Sequence, residues 1–356
     1  MAAEKSGGRV DLVLEGGGVK GIGLAGAYAV LEQHGYTPQN VAGTSAGAIT
    51  AALIAAGYTA AELKEIVLSL DFKQFEDRAW EDRIPVIDRS ASIFLDQGIY
   101  EGKRFYEWMR GLLAQKDVYT FADLVDAEFV DDPKYRSRLQ VIASDVTSRR
   151  LLVLPRDAEV LGLKPDALEV AEAVRMSMSI PIFFEPVRLK DPKSDETHVI
   201  VDGGMLSNFP VWLFDCGDSE PPEWPTFGLL LVEPDPKTPL SERIPDEKRE
   251  WGVAPLVAYV KSMAHTMMEA HDRLYLEKAQ YARTIPIPTL GVGTTEFDLS
   301  RERAEALYES GREAAEKFLA VWDFAAYVAE FRSGKTHSRR DDLTAELQQV
   351  RSPVGV

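Results

Sequence analysis

Three short stretches carry side chains whose types and spacing could do chemistry. Ser45 is the centre of Gly43-Thr44-Ser45-Ala46-Gly47, a G-x-S-x-G. A serine on a tight turn between a strand and a small-residue helix presents its hydroxyl as a nucleophile. A β-carbon two residues to either side would clash there, so Gly43 and Gly47 suit the turn. The plainer reading is a helix-capping serine in a glycine-rich turn. Asp202 ends the run "VIVDGG", with Gly203 and Gly204 behind it. Alone this is an ordinary Asp-Gly turn; beside a nucleophile it supplies a carboxylate that could accept a proton. The third stretch, Gly16-Gly17-Gly18-Val19-Lys20-Gly21, lets backbone N–H groups converge on one anion beside a helix N-terminus. Together a hydroxyl, a carboxylate and an anion cradle are the parts for acyl transfer.

Gly16, Gly18 and Gly21 also spell G-x-G-x-x-G. A dinucleotide site needs an acidic residue about 20 positions on, at the end of the next strand. The next strand runs "NVAGTSAG" without one, and Glu32 falls inside the intervening helix. No G-K-[ST] follows at Walker spacing either. A nicotinamide-dependent oxidoreductase is therefore the weaker alternative. Lys20 could steer a phosphate or simply cap the loop.

The elements that must position these residues alternate. Val10–Leu14 reads as a buried strand, Gly21–His34 as a helix, Asn40–Ala42 as a strand and Ala46–Ala56 as a helix. Thr59 with Glu62 predicts a capping box opening a helix over Ala60–Leu70. Strand–helix–strand–helix is the grammar of a parallel α/β sheet. Residues 71–100 lack clean periodicity and read as an excursion that could cover a site, with Phe72, Phe75, Trp80, Ile93, Phe94 and Leu95 as apolar lining. Phe183 and Phe184 add to that apolar set, although plain core packing explains most of it. Helix is expected again at Gly102–Leu113, in "ALEVAEAVRMSMSIP" up to Pro181, at Pro255–Tyr281 and, capped by Ser300, at Ser300–Phe318; "RLQVIASDV", "RLLVLP", "THVIVDGG" and "TFGLLLVEPD" read as strands. The expected organisation is a flexible N-terminus (1–9), one α/β domain (10–320) and a helical, charged tail (321–356).

Composition excludes several classes. The 356 residues carry a formal charge of −17, which argues against a nucleic-acid polymer as partner. Cys216 is the only cysteine, so there is no internal disulfide and no thiolate metal cluster. No signal peptide and no apolar run of about 18 residues is visible. A cytoplasmic protein is expected, with peripheral membrane contact or a signal-independent secretion route left open. No metal or other cofactor is expected.

A serine hydrolase normally adds a histidine. Of the five, His34 lies near a helix end, and His198 is on the strand of Asp202 but well back from its end. His265 and His271 sit on the expected C-terminal helix near Met263, Met267 and Met268, and His337 is in the tail. None lies in a turn after a strand, so a two-residue Ser45–Asp202 machine is the better inference. An ordinary aspartate is a weak base for a hydroxyl, so such a pair gains from burial that raises the carboxyl's pKa.

The chain resembles the patatin-like phospholipase family, whose G-G-G-x-[RK]-G loop, G-x-S-x-G elbow and D-G-[GA] motif appear here in order as "GGGVKG", "GTSAG" and "DGG". Weaker likenesses are "GIYEGKRFYEWMRGLL", "ASDVTS", "SMSIPIFFEPV", "DGGMLSNFPV" and "FDLSRERAEALYESGREAAEKFL". The resemblance implies a three-layer α/β/α fold with a mainly parallel central sheet. It also implies a Ser–Asp dyad of Ser45 and Asp202, and hydrolysis of phospholipid or other lipid acyl esters through an acyl-serine. The oxyanion hole is then expected from Gly16, Gly17, Gly18 and Val19, with Lys20, Gly21, Gly43, Gly47, Gly203 and Gly204 supporting the motifs. Transient membrane contact follows from such a substrate, and an activating ligand or protein stays open. A transacylase would use the same pair, delivering the acyl group to an alcohol instead of water.

Overall fold

A computed structural model describes residues 7–70, 99–181, 183–192, 195–215, 221–233, 278–294, 296 and 298–332. The expected cover at 71–98, most of the expected helix 255–281 and the segment from 333 lie outside the described residues. Cys216, His265, His271 and His337 lie outside them too.

Eight strands form one sheet: β1 (Arg9–Leu14), β2 (Thr37–Thr44), β3 (Leu139–Asp145), β4 (Arg150–Leu154), β5 (Val187–Lys190), β6 (Thr197–Asp202), β7 (Thr226–Val232) and β8 (Thr284–Pro288). By hydrogen-bonded neighbours the order is β5-β6-β3-β2-β1-β7-β8, with β4 also against β3. The run β3-β2-β1-β7-β8 is parallel throughout. The pairs β3–β4, β3–β6 and β5–β6 are antiparallel. This is the mainly parallel α/β sheet that the strand–helix alternation predicts. β2 begins at Thr37, earlier than expected, and β5 was not foreseen.

The register around β3 has a direct bearing on the site. β4 runs along one edge of β3 from Val141 to Asp145. A strand has only two hydrogen-bonding edges, so β2 and β6 must share the other. β2 takes Leu139–Ile142, with Thr44 opposite Ile142. β6 takes Ala143–Asp145 from the opposite direction, with Asp202 opposite Ala143. The outgoing ends of β2 and β6 thus meet head-on at one seam.

Apolar side chains alternate between the two faces, as a half-turn per residue requires. Leu12, Leu14, Val41, Val141, Ala143, Leu229 and Leu231 join one cluster, and Val13, Ala42, Ile142 and Leu230 join the other. The first face is covered by helices α1 (Ile22–Gln33), α2 (Ala46–Ala55), α3 (Ala60–Ser69), α4 (Ile99–Ala114) and α5 (Val170–Ser177). Among the described residues the second face is packed by Phe209, Val211, Leu213 and Phe214 from a run of turns. A short helix, α6 (Lys278–Tyr281), precedes β8, and α7 (Arg301–Leu319) packs along α1. α8 (Phe324–Phe331) follows.

Two caps appear as the sequence predicts. The Thr59 hydroxyl accepts from the Glu62 N–H and the Glu62 carboxylate from the Thr59 N–H at 2.7 Å, opening α3. Ser300 accepts from the Arg303 N–H at the start of α7. α5 ends at Ser177, sooner than the run up to Pro181 suggested, which frees Met178 and Ser179 to leave the helix axis.

Candidate active site

Ser45 is the hinge between β2 and α2, and it is fully buried. Its backbone sits at φ 53°, ψ −124°, a conformation costly for any residue with a β-carbon. Such strain persists only where the surroundings fix it. The flanking glycines make the turn sterically feasible: a β-carbon on Gly43 would lie 2.3 Å from the Gly47 carbonyl oxygen, and one on Gly47 would lie 2.4 Å from that of Leu14. The elbow geometry expected of G-x-S-x-G is therefore what this segment adopts.

Asp202 meets Ser45 across the seam. Paired opposite Ala143, its side chain shares the helix-covered face with that residue. Its N–H donates to the Ser179 carbonyl at 2.9 Å, and its Oδ1 accepts from the Gly204 N–H at 2.8 Å. Burial is the largest influence on the carboxyl and lifts its pKa to about 7, against smaller lowering by the Gly204 amide and the Ser45 hydroxyl. The hydroxyl stands near enough to act on the carboxyl, yet Oδ2 has no hydrogen bond of good geometry. Instead the Ser45 hydroxyl points to Met178 Sδ, 3.6 Å away.

The residues just past α5 tie both partners down. The Ser177 hydroxyl lies 2.8 Å from the Ser45 amide and 2.6 Å from the Ile142 carbonyl, and Ser179 holds Asp202 as above. The sequence reading passed over Ser177 and Ser179 as site residues. "SMS" stood out only as a stretch of family likeness, because a serine that bonds across 132 positions has no local signature.

The glycine loop is anchored at several points. The Gly16 N–H donates to the Asn208 carbonyl at 3.1 Å and Asn208 Nδ2 returns a bond to the Gly16 carbonyl at 2.9 Å. The Val19 N–H donates to the Thr294 carbonyl at 3.2 Å. Two of the four expected anion donors, the Gly16 and Val19 amides, are thus already hydrogen-bonded within the protein. The Gly17 and Gly18 amides donate to no partner among the described residues. Gly18, at φ 55°, supplies the left-handed turn that swings the loop into a short 3-10 helix over Gly18–Gly21. Lys20 is buried with its ammonium 3.2 Å from a Glu233 carboxylate oxygen, which ties the loop to the residue after β7. Of its two readings, loop anchoring is the one this contact favours. Asn208, another residue the sequence reading missed, closes the opposite side.

The two described histidines stand apart from the seam. His34 is exposed beside Glu316, and His198 bonds Asp145 through Nδ1 at 2.7 Å. Neither hydrogen-bonds Ser45 or Asp202.

The model of a family described as patatin-like phospholipase matches residues 12–215, more than half of the chain. The chain belongs to the patatin-like phospholipase family. This membership places it among lipid acyl hydrolases at the level of the family. The uncharacterized protein YqhO of Bacillus subtilis is 38% identical over 315 residues, covering 88% of this chain and 99% of that one. An uncharacterized NTE family protein of Mycobacterium bovis is 26% identical over 223 residues, covering 62% of this chain but only 30% of that longer protein. Among solved structures, VipD from Legionella pneumophila superposes with a TM-score of 0.50 at 18% identity, over 89% of this chain and 67% of that one. That likeness speaks to the patatin fold.

Proposed function

We propose that this patatin-like protein hydrolyses lipid acyl esters with Ser45 as nucleophile and Asp202 as the base. The observation that carries the reading is the seam: two outgoing strand ends put a strained serine beside a buried carboxyl with a vacant oxygen. A carboxyl near pKa 7 is half-ionised at neutral pH, so it can take a hydroxyl proton and later return one.

In this mechanism Asp202 Oδ2 accepts the Ser45 proton as Oγ attacks the ester carbonyl. The developing oxyanion is held by the Gly17 and Gly18 amides and favoured by the N-terminus of α2. Collapse expels the alcohol, which takes the proton from Asp202 and leaves an acyl-serine. Water then attacks the acyl group, giving its proton to Asp202, and collapse expels Ser45 Oγ, which takes that proton back as the fatty acid leaves and the resting pair is restored. The substrate class is a phospholipid or other lipid ester, met at a membrane surface from solution. No helix among the described residues is long and apolar enough to cross a membrane.

The test uses a fluorophosphonate, which phosphonylates an activated serine, together with a short-chain soluble ester and mixed phospholipid vesicles. Wild-type protein should be labelled and should release fatty acid. Ser45→Ala should lose both while keeping its thermal melting temperature within a few degrees. Labelling that survives in Ser45→Ala removes Ser45 from the chemistry.

A further inference from the structure

We propose that Ser177 is a positioning residue whose hydroxyl spans the seam and aims the Ser45 side chain at Asp202; this rests on the Ser45–Asp202 reading above. The bond directions follow from proton count. A serine hydroxyl has one proton. The Ile142 carbonyl can only accept, so at 2.6 Å it takes that proton. The Ser45 amide can only donate, so at 2.8 Å it gives its hydrogen to the same oxygen. Ser177 is therefore fixed between the two and takes no part in moving the reaction's protons.

Its location explains why such a bridge is needed. Ile142 is the last residue of β3 that β2 pairs with, and Ser45 is the first residue beyond β2. There the strand ladder stops: the left-handed φ of Ser45 turns the following chain away from β3, and the Ser45 amide and the Ile142 carbonyl meet through the Ser177 hydroxyl instead of directly. Both polar groups lie inside a site where Ser45 and Ser177 are fully buried. Without the hydroxyl, the Ser45 N–H and the Ile142 carbonyl would lose their partner. The elbow would then relax toward a direct bond, rotating Oγ off its line to Asp202. A neighbouring residue acts in the same sense, the Ser179 carbonyl holding the Asp202 amide, while Met178 Sδ takes the Ser45 hydroxyl in the resting arrangement. Ser177 and Ser179 thus set the nucleophile and the base against one frame.

The experiment measures the second-order rate of fluorophosphonate labelling, and kcat and KM on a soluble ester, in Ser177→Ala and in a control, Ser137→Ala. Ser137 makes the same kind of buried serine-to-carbonyl bond, 2.8 Å to Leu139, near the opposite end of β3. Ser177→Ala should lose about tenfold to a hundredfold in labelling rate and in kcat, with KM unchanged, as misaimed reacting groups do. Ser137→Ala should stay within about twofold of wild type on the same scale. Ser177→Ala reacting at the wild-type rate overturns the proposal, as does an equal loss in Ser137→Ala. Should Ser177→Ala not fold, Ser177→Cys decides: its sulfur fills the place but bonds weakly, so an intermediate rate supports the proposal and a full rate overturns it. Ser45→Ala separates the two layers, since retained labelling there refutes the nucleophile assignment whatever Ser177 does.

Discussion

Two buried aspartates lie on neighbouring strands and behave in opposite ways. Asp202 ends β6 and Asp145 ends β3, and both are closed to solvent. Burial raises Asp202 to a pKa of about 7, with only the Gly204 amide and the Ser45 hydroxyl opposing it. Burial is also the largest single influence on Asp145, yet its carboxyl ends below the usual value. The Ser148 hydroxyl at 2.5 Å, His198 Nδ1 at 2.7 Å and the Ser148 amide together outweigh it. The number of donors decides whether a buried carboxyl is held neutral or charged; exclusion of water alone does not.

The largest break in this contrast should come from Asp202→Asn, which should lower kcat by about 10²–10⁴-fold. Near-full activity in that variant would make the seam a structural joint. The same variant should gain stability. A folded pKa near 7 against an unfolded value of 3.8 means that the unfolded chain gives up its proton first as pH rises. Folding of the wild type is penalised progressively between those values, and the penalty is full above about 7. Removing the carboxyl should thus stabilise the protein at pH 8 by up to about 4 kcal/mol, and by almost nothing near pH 3. Denaturant titrations of both proteins across that range check the sign.

Next in size is the pH profile. If Asp202 must be ionised to act, kcat/KM should rise about tenfold per unit below pH 7 and level off above it. A plateau already reached at pH 5 would mean that the carboxyl is not held in its neutral form.

Asp145→Asn should give the smallest effect on chemistry and a clear one on stability. Losing charge-assisted bonds to Ser148 and His198 should cost about 1–3 kcal/mol at pH 7. Asp145 has a depressed folded pKa, so its contribution is present above 3.8 and fades as pH falls through the folded value. Turnover at pH 8 should stay within about threefold of wild type, in keeping with a residue that hydrogen-bonds neither Ser45 nor Asp202. A kinetic collapse matching that of Asp202→Asn would erase the distinction between the two.

What could be read from the sequence follows the same division. The glycine-bound motifs were legible because their constraint is local: Gly43, Gly47 and Gly18 are required by the turn that each occupies. The parallel core was legible because β1–α1–β2–α2 repeats a short pattern along the chain. The reversed direction of β6 was not, since "THVIVD" reads the same whichever way its neighbour runs. Nor were Ser177 and Asn208, ordinary polar residues whose roles exist only through bonds to Ser45 and Gly16 far away in the chain. Other long-range bonds, to the Asn208 and Thr294 carbonyls, explain why the Gly16 and Val19 amides, equivalent to Gly17 and Gly18 on paper, are already committed.

The abutment of β2 and β6 along a single rail has an engineering consequence. Spacing between Ser45 and Asp202 is counted in whole residues, because each strand advances on β3 one rung at a time. Deleting one residue from β6 would throw the carboxyl onto the opposite side of the sheet. Deleting two would restore its facing but withdraw it by about 7 Å. Tolerance to such edits should therefore be all-or-none here, whereas loops elsewhere in the chain can lengthen without touching the chemistry.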